Sequence, residues 1–450
     1  MANILLKRDD KLSIKVSHQM KLGSHRRVDV FFTFPKDMDI NPQTLPEEHY
    51  FNVGIKGRRS YFSDGLHQPL LHTRFASLNK EDNHYRTNVN LFAYQFAIAN
   101  EIDTKSVLNT EEADELYVKA LVLAQHNADF LKKFRRSRPT REKPQGQFDN
   151  ADNYVSWRYY QQLLKLIAKA PRGAEYKDSR RFLLEFANKE LEYRWQQGYQ
   201  SETMNDDPNR LANKMRLLRR LIEYDVLFRQ SIRSLGKTLK KFVTGFVTAM
   251  IAIVVLTLII KTRQDLGVSA VMIGVLAIIY GLREVFKEDL RNILWKWLRK
   301  GKPKWSSYLF GKNSNTPLVK QKIWLDYKKI EKLPVEVQNK LNNTLKSRNH
   351  ADYILHYRIE SLVAEKGFVA GYQALQETLY FNLRPFTRYL ASGTGELFQE
   401  VNGKVSKVAI EKRYQINAIV KMSSKKDEQV IKRYKINLTR SQIINIELAS

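Results

Sequence analysis

Two runs without charge dominate the hydrophobic pattern of the chain, and they lie almost back to back. The first is Phe242–Ile260 (FVTGFVTAMIAIVVLTLII), the second Leu266–Leu282 (LGVSAVMIGVLAIIYGL), with Lys261-Thr-Arg-Gln-Asp265 between them. At about 1.5 Å rise per residue, helices of this length approach the ~30 Å hydrocarbon core of a bilayer. A helical hairpin also satisfies its own backbone hydrogen bonds, as lipid requires. The pattern therefore predicts a transmembrane hairpin over 242–282.

Elsewhere the periodicity changes along the chain. Leu12, Ile14 and Val16 alternate with polar neighbours, and Val28, Val30, Phe32 and Phe34 repeat the period of two that marks a strand. Helical patterns follow, from Asn109-Thr110 to about Arg136, over Ala151–Ala170 and over Ser179–Gln197. Asp207-Pro208 is an N-cap and first-turn pair. No proline interrupts the chain from there to the hairpin, so one stalk helix running into the first membrane helix is expected. After the hairpin, Phe286, Leu290, Ile293, Leu294, Trp297 and Leu298 repeat at helical spacing among lysines and arginines, as in a helix lying on headgroups or in a core-packed continuation of the second membrane helix. The spacing of Phe368, Tyr372, Leu375, Leu379 and Leu383 predicts a helix ended by Pro385. Ile323, Leu325 and Tyr327 read as a strand. Asn402-Gly403 predicts a two-residue turn joining strands near 396–401 and 404–411. The similar segments Arg413-Tyr-Gln-Ile-Asn417 and Arg433-Tyr-Lys-Ile-Asn437 then complete an antiparallel meander.

The expected fold class is a two-pass α-helical membrane protein with α+β cytoplasmic domains. Its parts are a β-containing N-terminal domain (1–105), a helical region and stalk (106–241), the hairpin (242–282), a juxtamembrane interfacial helix (283–304) and a C-terminal α+β domain (305–450). Basic residues crowd both outer flanks of the hairpin, while its connection holds Lys261 and Arg263 against Asp265. Positive-inside orientation then puts both termini in the cytoplasm, with a bacterial inner membrane as the expected location. Within the hairpin, Gly245 with Ala249, Ala270 with Gly274, and Ala277 with Gly281 fall four apart, the spacing at which small residues let helices approach closely.

Charge adds a partner class. Seventy-six lysines and arginines against 47 acids give +29, with a pI near 9.9, a balance suited to anionic lipid, nucleotides or acidic proteins. The densest basic run is Lys132, Lys133, Arg135, Arg136 and Arg138, with Arg141 beyond, and it is the candidate anion-binding surface. Nucleic acid is disfavoured, because no helix-turn-helix, zinc-finger or RNP-type pattern accompanies the charge. The chain has no cysteine, so thiolate nucleophiles, disulfides and cysteine-ligated metals are excluded.

No phosphate loop, nucleophile elbow, HExxH or kinase signature occurs, so no catalytic residue, cofactor or metal is assigned. The leading expectation is a membrane-anchored scaffold, sensor or effector whose basic surface meets an anionic partner. One alternative is an enzyme built on Glu48, His49, Asp64, His67 and His72, with Glu47 adjacent. Another is a subunit that forms a pore by homo-oligomerisation.

Overall fold

The structure is a computed structural model, and it describes residues 5–62, 85–140, 142–201, 207–266, 270–311, 315–345, 352–368, 374–388, 390, 394–401, 404–424 and 429–449. The period-two segments become strands at both ends of the chain. β1 (Leu5–Asp10), β2 (Ser13–Lys21), β3 (His25–Thr33) and β4 (Ile55–Phe62) come first, with a short helix α1 (Glu47–Gly54) before β4. Late in the chain come β7 (Pro317–Lys329), β8 (Tyr353–Val363), β9 (Ala374–Asn382), β12 (Tyr414–Ser424), β13 (Val430–Leu438) and β14 (Ile443–Ala449). Earlier, β5 (Arg229–Ser234) and β6 (Trp305–Phe310) stand about seventy residues apart yet pair directly.

These strands interleave the two ends of the chain. One antiparallel sheet has the order β1-β2-β9-β4, and the other β14-β13-β12-β3-β8-β7-β6-β5. The sheets face each other over a shared core containing Ile14, Val16, Val30, Phe32, Leu379 and Ile416. Their edges also meet. Ile443 N–H donates to Lys11 O at one edge, and Phe228 N–H to Arg59 O at the other, so the sandwich is nearly a closed barrel. The predicted meander holds over β12, β13 and β14, with Tyr414↔Leu438 and Ile416↔Ile436 in register, but the two strands expected to begin it do not join it. β10 (Thr394–Val401) and β11 (Lys404–Glu411) form a separate hairpin closed at Val401↔Lys404, its Asn-Gly turn lying outside the described residues.

Helices cover two surfaces of the sandwich. α2 (Tyr85–Leu108), α3 (Ala113–Arg135), α4 (Glu142–Lys169), α5 (Lys177–Gln196) and α6 (Pro208–Val226) bundle around stacked Phe92, Phe134 and Phe148. Their core continues into sheet residues Met20, Tyr61, Leu318 and Leu375. α9 (Val335–Leu345) seats Val337 and Leu341 on Phe31, Ile354 and Ile419, on the outer face of the larger sheet. A single turn, α10 (Arg384–Thr387), puts Phe386 into the sandwich core.

α7 (Lys237–Leu266) and α8 (Ala270–Arg299) pack along each other. They occupy the connection between paired strands: Ser234↔Trp305 is the last β5–β6 pair, and Leu235 N–H donates to Lys304 O across the gap. The helical hairpin is thus an insertion at the closed end of a β-hairpin.

The two-pass membrane expectation is corrected. The chain is an α+β fold with ten α-helices among its described residues and large antiparallel sheets. One helix alone among those residues, over Leu239–Lys261, is long and apolar enough to cross a membrane. The reason lies in α8: its uncharged part within the helix is Ala270–Leu282, 13 residues or about 20 Å, after which the same helix continues through Arg283, Glu284 and Lys287. A multi-pass anchor, and the inner-membrane location with cytoplasmic termini that rested on it, fall with that observation.

Three element expectations also change. No stalk helix runs into α7, because α6 ends at Val226 and β5 intervenes to pair with β6. The 283–304 segment is no separate interfacial helix up to Arg299; it is the unbroken second half of α8. The helix expected over 368–383 is instead strand β9, whose Leu375, Glu377, Leu379 and Phe381 point inward. A spacing of four fits one helical turn and two strand repeats equally well. Tyr372 lies outside the described residues.

Candidate functional site

The insertion point of the helical hairpin creates a cavity of about 760 Å3. Its walls come from α1 (Glu47, Glu48), the C-terminal end of α8 (Trp295, Arg299, Lys300), and the outward row of β7 and β8 (Trp324, Asp326, Lys328, His356, Arg358). That row is set by register, since Trp324 pairs with Arg358, Asp326 with His356, and Asp29 of β3 with Arg358. Alternation that sends Ile323, Leu325, Tyr357 and Ile359 into the core sends these polar residues to the opposite face.

Two glycines fit the hairpin to the sheet. Gly236 enters α7 at φ +98°, and a Cβ there would meet the Trp295 ring at 2.9 Å. Gly301 leaves α8 at φ +76°, and its carbonyl accepts from Trp324 Nε1 at 3.1 Å. Arg299 ties the entry to the exit. Its Nη2 donates to Leu235 O at 2.6 Å and to Lys304 O at 3.2 Å, and its guanidinium lies 4.9 Å from the Trp295 ring.

The charges around the cavity are unevenly paired. Lys304 Nζ is held by Glu47 at 3.0 Å and Asp326 at 2.8 Å. Arg358 Nε is held by Asp29 at 2.7 Å. Arg299 bonds only carbonyls, and Lys300 and Lys328 have no carboxylate at ion-pair distance among the described residues. Burial lowers the Lys328 pKa, and Arg358 adds repulsion in the same direction. An incoming anion would relieve both costs.

Behind the cavity wall, Asp29 and His356 form a buried pair at 2.7 Å, with the imidazole stacked on Phe31 at 4.2 Å. Burial opposes ionisation of Asp29, but the hydrogen bond from His356, with the charge of Arg358 and the hydrogen bond from Arg27, holds its carboxyl well below the usual range. Burial pushes the His356 pKa down, outweighing Asp29, so the ring is neutral near pH 7. A carboxylate only accepts, so Nε2 carries the proton and Nδ1 the lone pair. Nδ1 is buried without a hydrogen-bond partner. A base oriented by an acid is present, but no hydroxyl stands at Nδ1 to be activated.

Of the sequence candidates, Glu47 and Glu48 reach this cavity, while His49 is exposed and does not line it. Asp64, His67 and His72 lie outside the described residues. The basic run sits on the helical bundle. Lys132, Lys133 and Arg136 face solvent there, and Arg138 pairs with Asp149 at 2.9 Å. Arg135 is turned inward against Asp152 and Glu190, with its guanidinium 3.5 Å from the Tyr193 ring. Arg141 lies outside the described residues. In the hairpin, α7 packs through Val243 and Val247, whereas Gly245, Ala249, Gly274, Ala277 and Gly281 are exposed. A Cβ on Gly245, Gly274 or Gly281 would meet nothing within 4 Å, so these glycines do not set a close helix–helix approach. Nothing is described of the Ala270 side chain. Among the described residues, no three His, Asp or Glu side chains gather as metal ligands would.

Sequence reasoning missed Asp29, Arg299, Trp324, Lys328, His356 and Arg358. One signal was present: Asp29 sits between Val28 and Val30, and His356 between Leu355 and Tyr357, polar residues inside apolar strands. No family model, curated protein or solved structure matches the chain.

Proposed function

We infer that the protein is a non-enzymatic sensor or effector that binds a small anionic ligand with a flat ring, of the nucleotide class, in the cavity at the hairpin base. The observation that carries this reading is the pairing of indole walls, Trp295 and Trp324, with Arg299, Lys300 and Lys328, which form no direct ion pair among the described residues although Glu47, Glu48 and Asp326 share the lining. Rings stack on indole and phosphates pair with ammonium and guanidinium groups, so the two features favour one ligand chemistry. A response is built into the same place. An anion that draws Arg299 toward itself competes with the carbonyls of Leu235 and Lys304, which fasten the hairpin to the sheet. Of the residues named for the enzyme alternative, Glu48 lines the cavity beside Glu47 and His49 does not, while Asp64, His67 and His72 lie outside the described residues.

The test is titration of the full chain with nucleoside mono-, di- and triphosphates, read by calorimetry and tryptophan fluorescence. Saturable binding that weakens about tenfold or more in Lys328→Gln and in Trp324→Ala, with unchanged circular dichroism, is the expected result. Equal binding by both variants, or no binding across the panel, would remove the reading. Turnover of the ligand would favour the enzyme.

A further inference from the structure

A second surface stands apart from the cavity. Along α7 and α8, the large apolar side chains Phe242, Met250, Ile253, Phe286, Ile293 and Trp297 are each at least half exposed. They form one stripe per helix: 242, 250 and 253 on α7, and 286, 293 and 297 on α8. On α7, Val243 and Val247 are buried, whereas the side chains of the stripe are not. Contiguous apolar surface of this extent is unusual on a protein that has no partner for it.

The polar groups within the apolar stretch are already satisfied. Thr244, Thr248 and Thr257 each donate their hydroxyl to the carbonyl four residues back, at 2.8 Å. A helix face whose hydroxyls bond inward needs no water along its length. The surrounding charge is predominantly positive: Lys237–Lys304 carries thirteen lysines and arginines against four acids, with Lys240, Lys241, Lys300 and Lys302 exposed at the base. Like charge disfavours a second copy laid alongside in parallel. It complements an anionic surface.

We propose that the hairpin is a docking element for an anionic lipid surface, its apolar stripes lying in the headgroup–acyl boundary of one leaflet and its cations among the headgroups. The geometry is that of an exposed apolar hairpin on a basic base, with affinity from buried apolar area and from charge together. Spanning is not part of it, because among the described residues only α7 is long and apolar enough to cross a membrane, and a hairpin that spans needs both helices.

The experiment uses the full chain with vesicles of phosphatidylcholine alone or with about one third phosphatidylglycerol, separated by flotation. Binding is expected to the anionic vesicles, to fall as salt rises, and to weaken about tenfold in Lys240→Gln/Lys241→Gln. Loss of flotation is expected in Phe286→Glu/Ile293→Glu, whose exposed positions leave the fold intact by circular dichroism. Because the chain has no cysteine, Lys261→Cys accepts a single fluorophore at the hairpin tip. With docking from one side, an impermeant quencher added outside reaches it. A tip protected until the vesicles are lysed would overturn the proposal, as would equal binding to neutral vesicles. A concentration-dependent dimer that binds no vesicle would overturn it in favour of a second copy.

Discussion

At the scale of single residues, burial decides which charges are structural. Arg135 looked like one cation in a basic run, yet it completes a network with Asp152 and Glu190, in which Tyr193 and Tyr199 also donate to Asp152 at 2.6 and 3.0 Å. Breaking such a network leaves buried carboxylates unpaired. Arg135→Ala should therefore cost about 3–5 kcal/mol in urea unfolding, whereas Lys132→Gln and Lys133→Gln should each change stability by less than about 0.5 kcal/mol. Equal effects at all three positions would contradict the assignment. Glu377 makes the same point inside the sandwich. Its carboxylate on β9 meets Arg59 of β4 at 2.6 Å and His18 of β2 at 3.2 Å, and Gln321 of β7 reaches it at 2.9 Å from the opposite sheet. Burial alone would raise its pKa, but Arg59, with His18 and Gln321, pulls it from 4.5 down to about 2. A depressed carboxyl pKa adds stability above the unfolded value, and that stability is lost as pH falls from about 4.5 through about 2, at most a few kcal/mol. Wild-type midpoints in urea should drop over that window, and Glu377→Gln, already destabilised, should show a shallower acid dependence. None of these pairings was legible in the sequence, because the partners are set by tertiary register between residues up to 359 positions apart.

Elements were legible where one period had no rival. The meander over 414–438 and the strands at 13–21 and 25–33 appear where alternation put them. Ambiguity entered where spacing fitted two periods, as in β9, and where continuity was inferred from the lack of a proline. Between Val226 and Lys237 the chain breaks its helix without one: β5 gains a ladder with β6, and Gly236 supplies the positive φ that turns into α7. Gly236→Ala tests that joint. An L-residue at φ +98° is strained, and the new methyl would press on Trp295, so a loss of about 1–3 kcal/mol is expected. The effect should be local, with faster hydrogen exchange at the start of α7 and reduced cavity binding. Uniform loss of protection across the sandwich would show that the hairpin joint supports the whole fold.

At the scale of the molecule, the sequence suggested parts in a row, but the topology crosses them. β3 sits between β8 and β12, and β2 pairs with β9, so strands from the first thirty-three residues complete sheets built from the last hundred and thirty. Hydrophobic period cannot reveal this, because it fixes which face of a strand is buried and leaves the neighbour open. The same topology makes the helical hairpin separable. Its two ends emerge from Ser234 and Trp305, which are already paired, so the insertion closes no loop that the sandwich itself needs. Replacing Leu235–Lys304 by a two-residue Asn-Gly turn should leave the sandwich and helical bundle folded, since a tight turn costs less closure entropy than the long insertion it replaces. The shortened chain loses Trp295, Arg299 and Lys300 from the cavity, and the exposed apolar stripes with them. It should keep a cooperative thermal transition and its strand signal in circular dichroism. It should also lose both nucleotide binding and vesicle flotation. A chain cut at Lys237, which lacks β6–β14, is the contrasting case: it leaves β3 with neither partner and β2 with β1 alone, and should not fold. If the hairpin-less chain unfolded as completely as the truncated one, the hairpin would be a structural member of the sandwich and not an appendage.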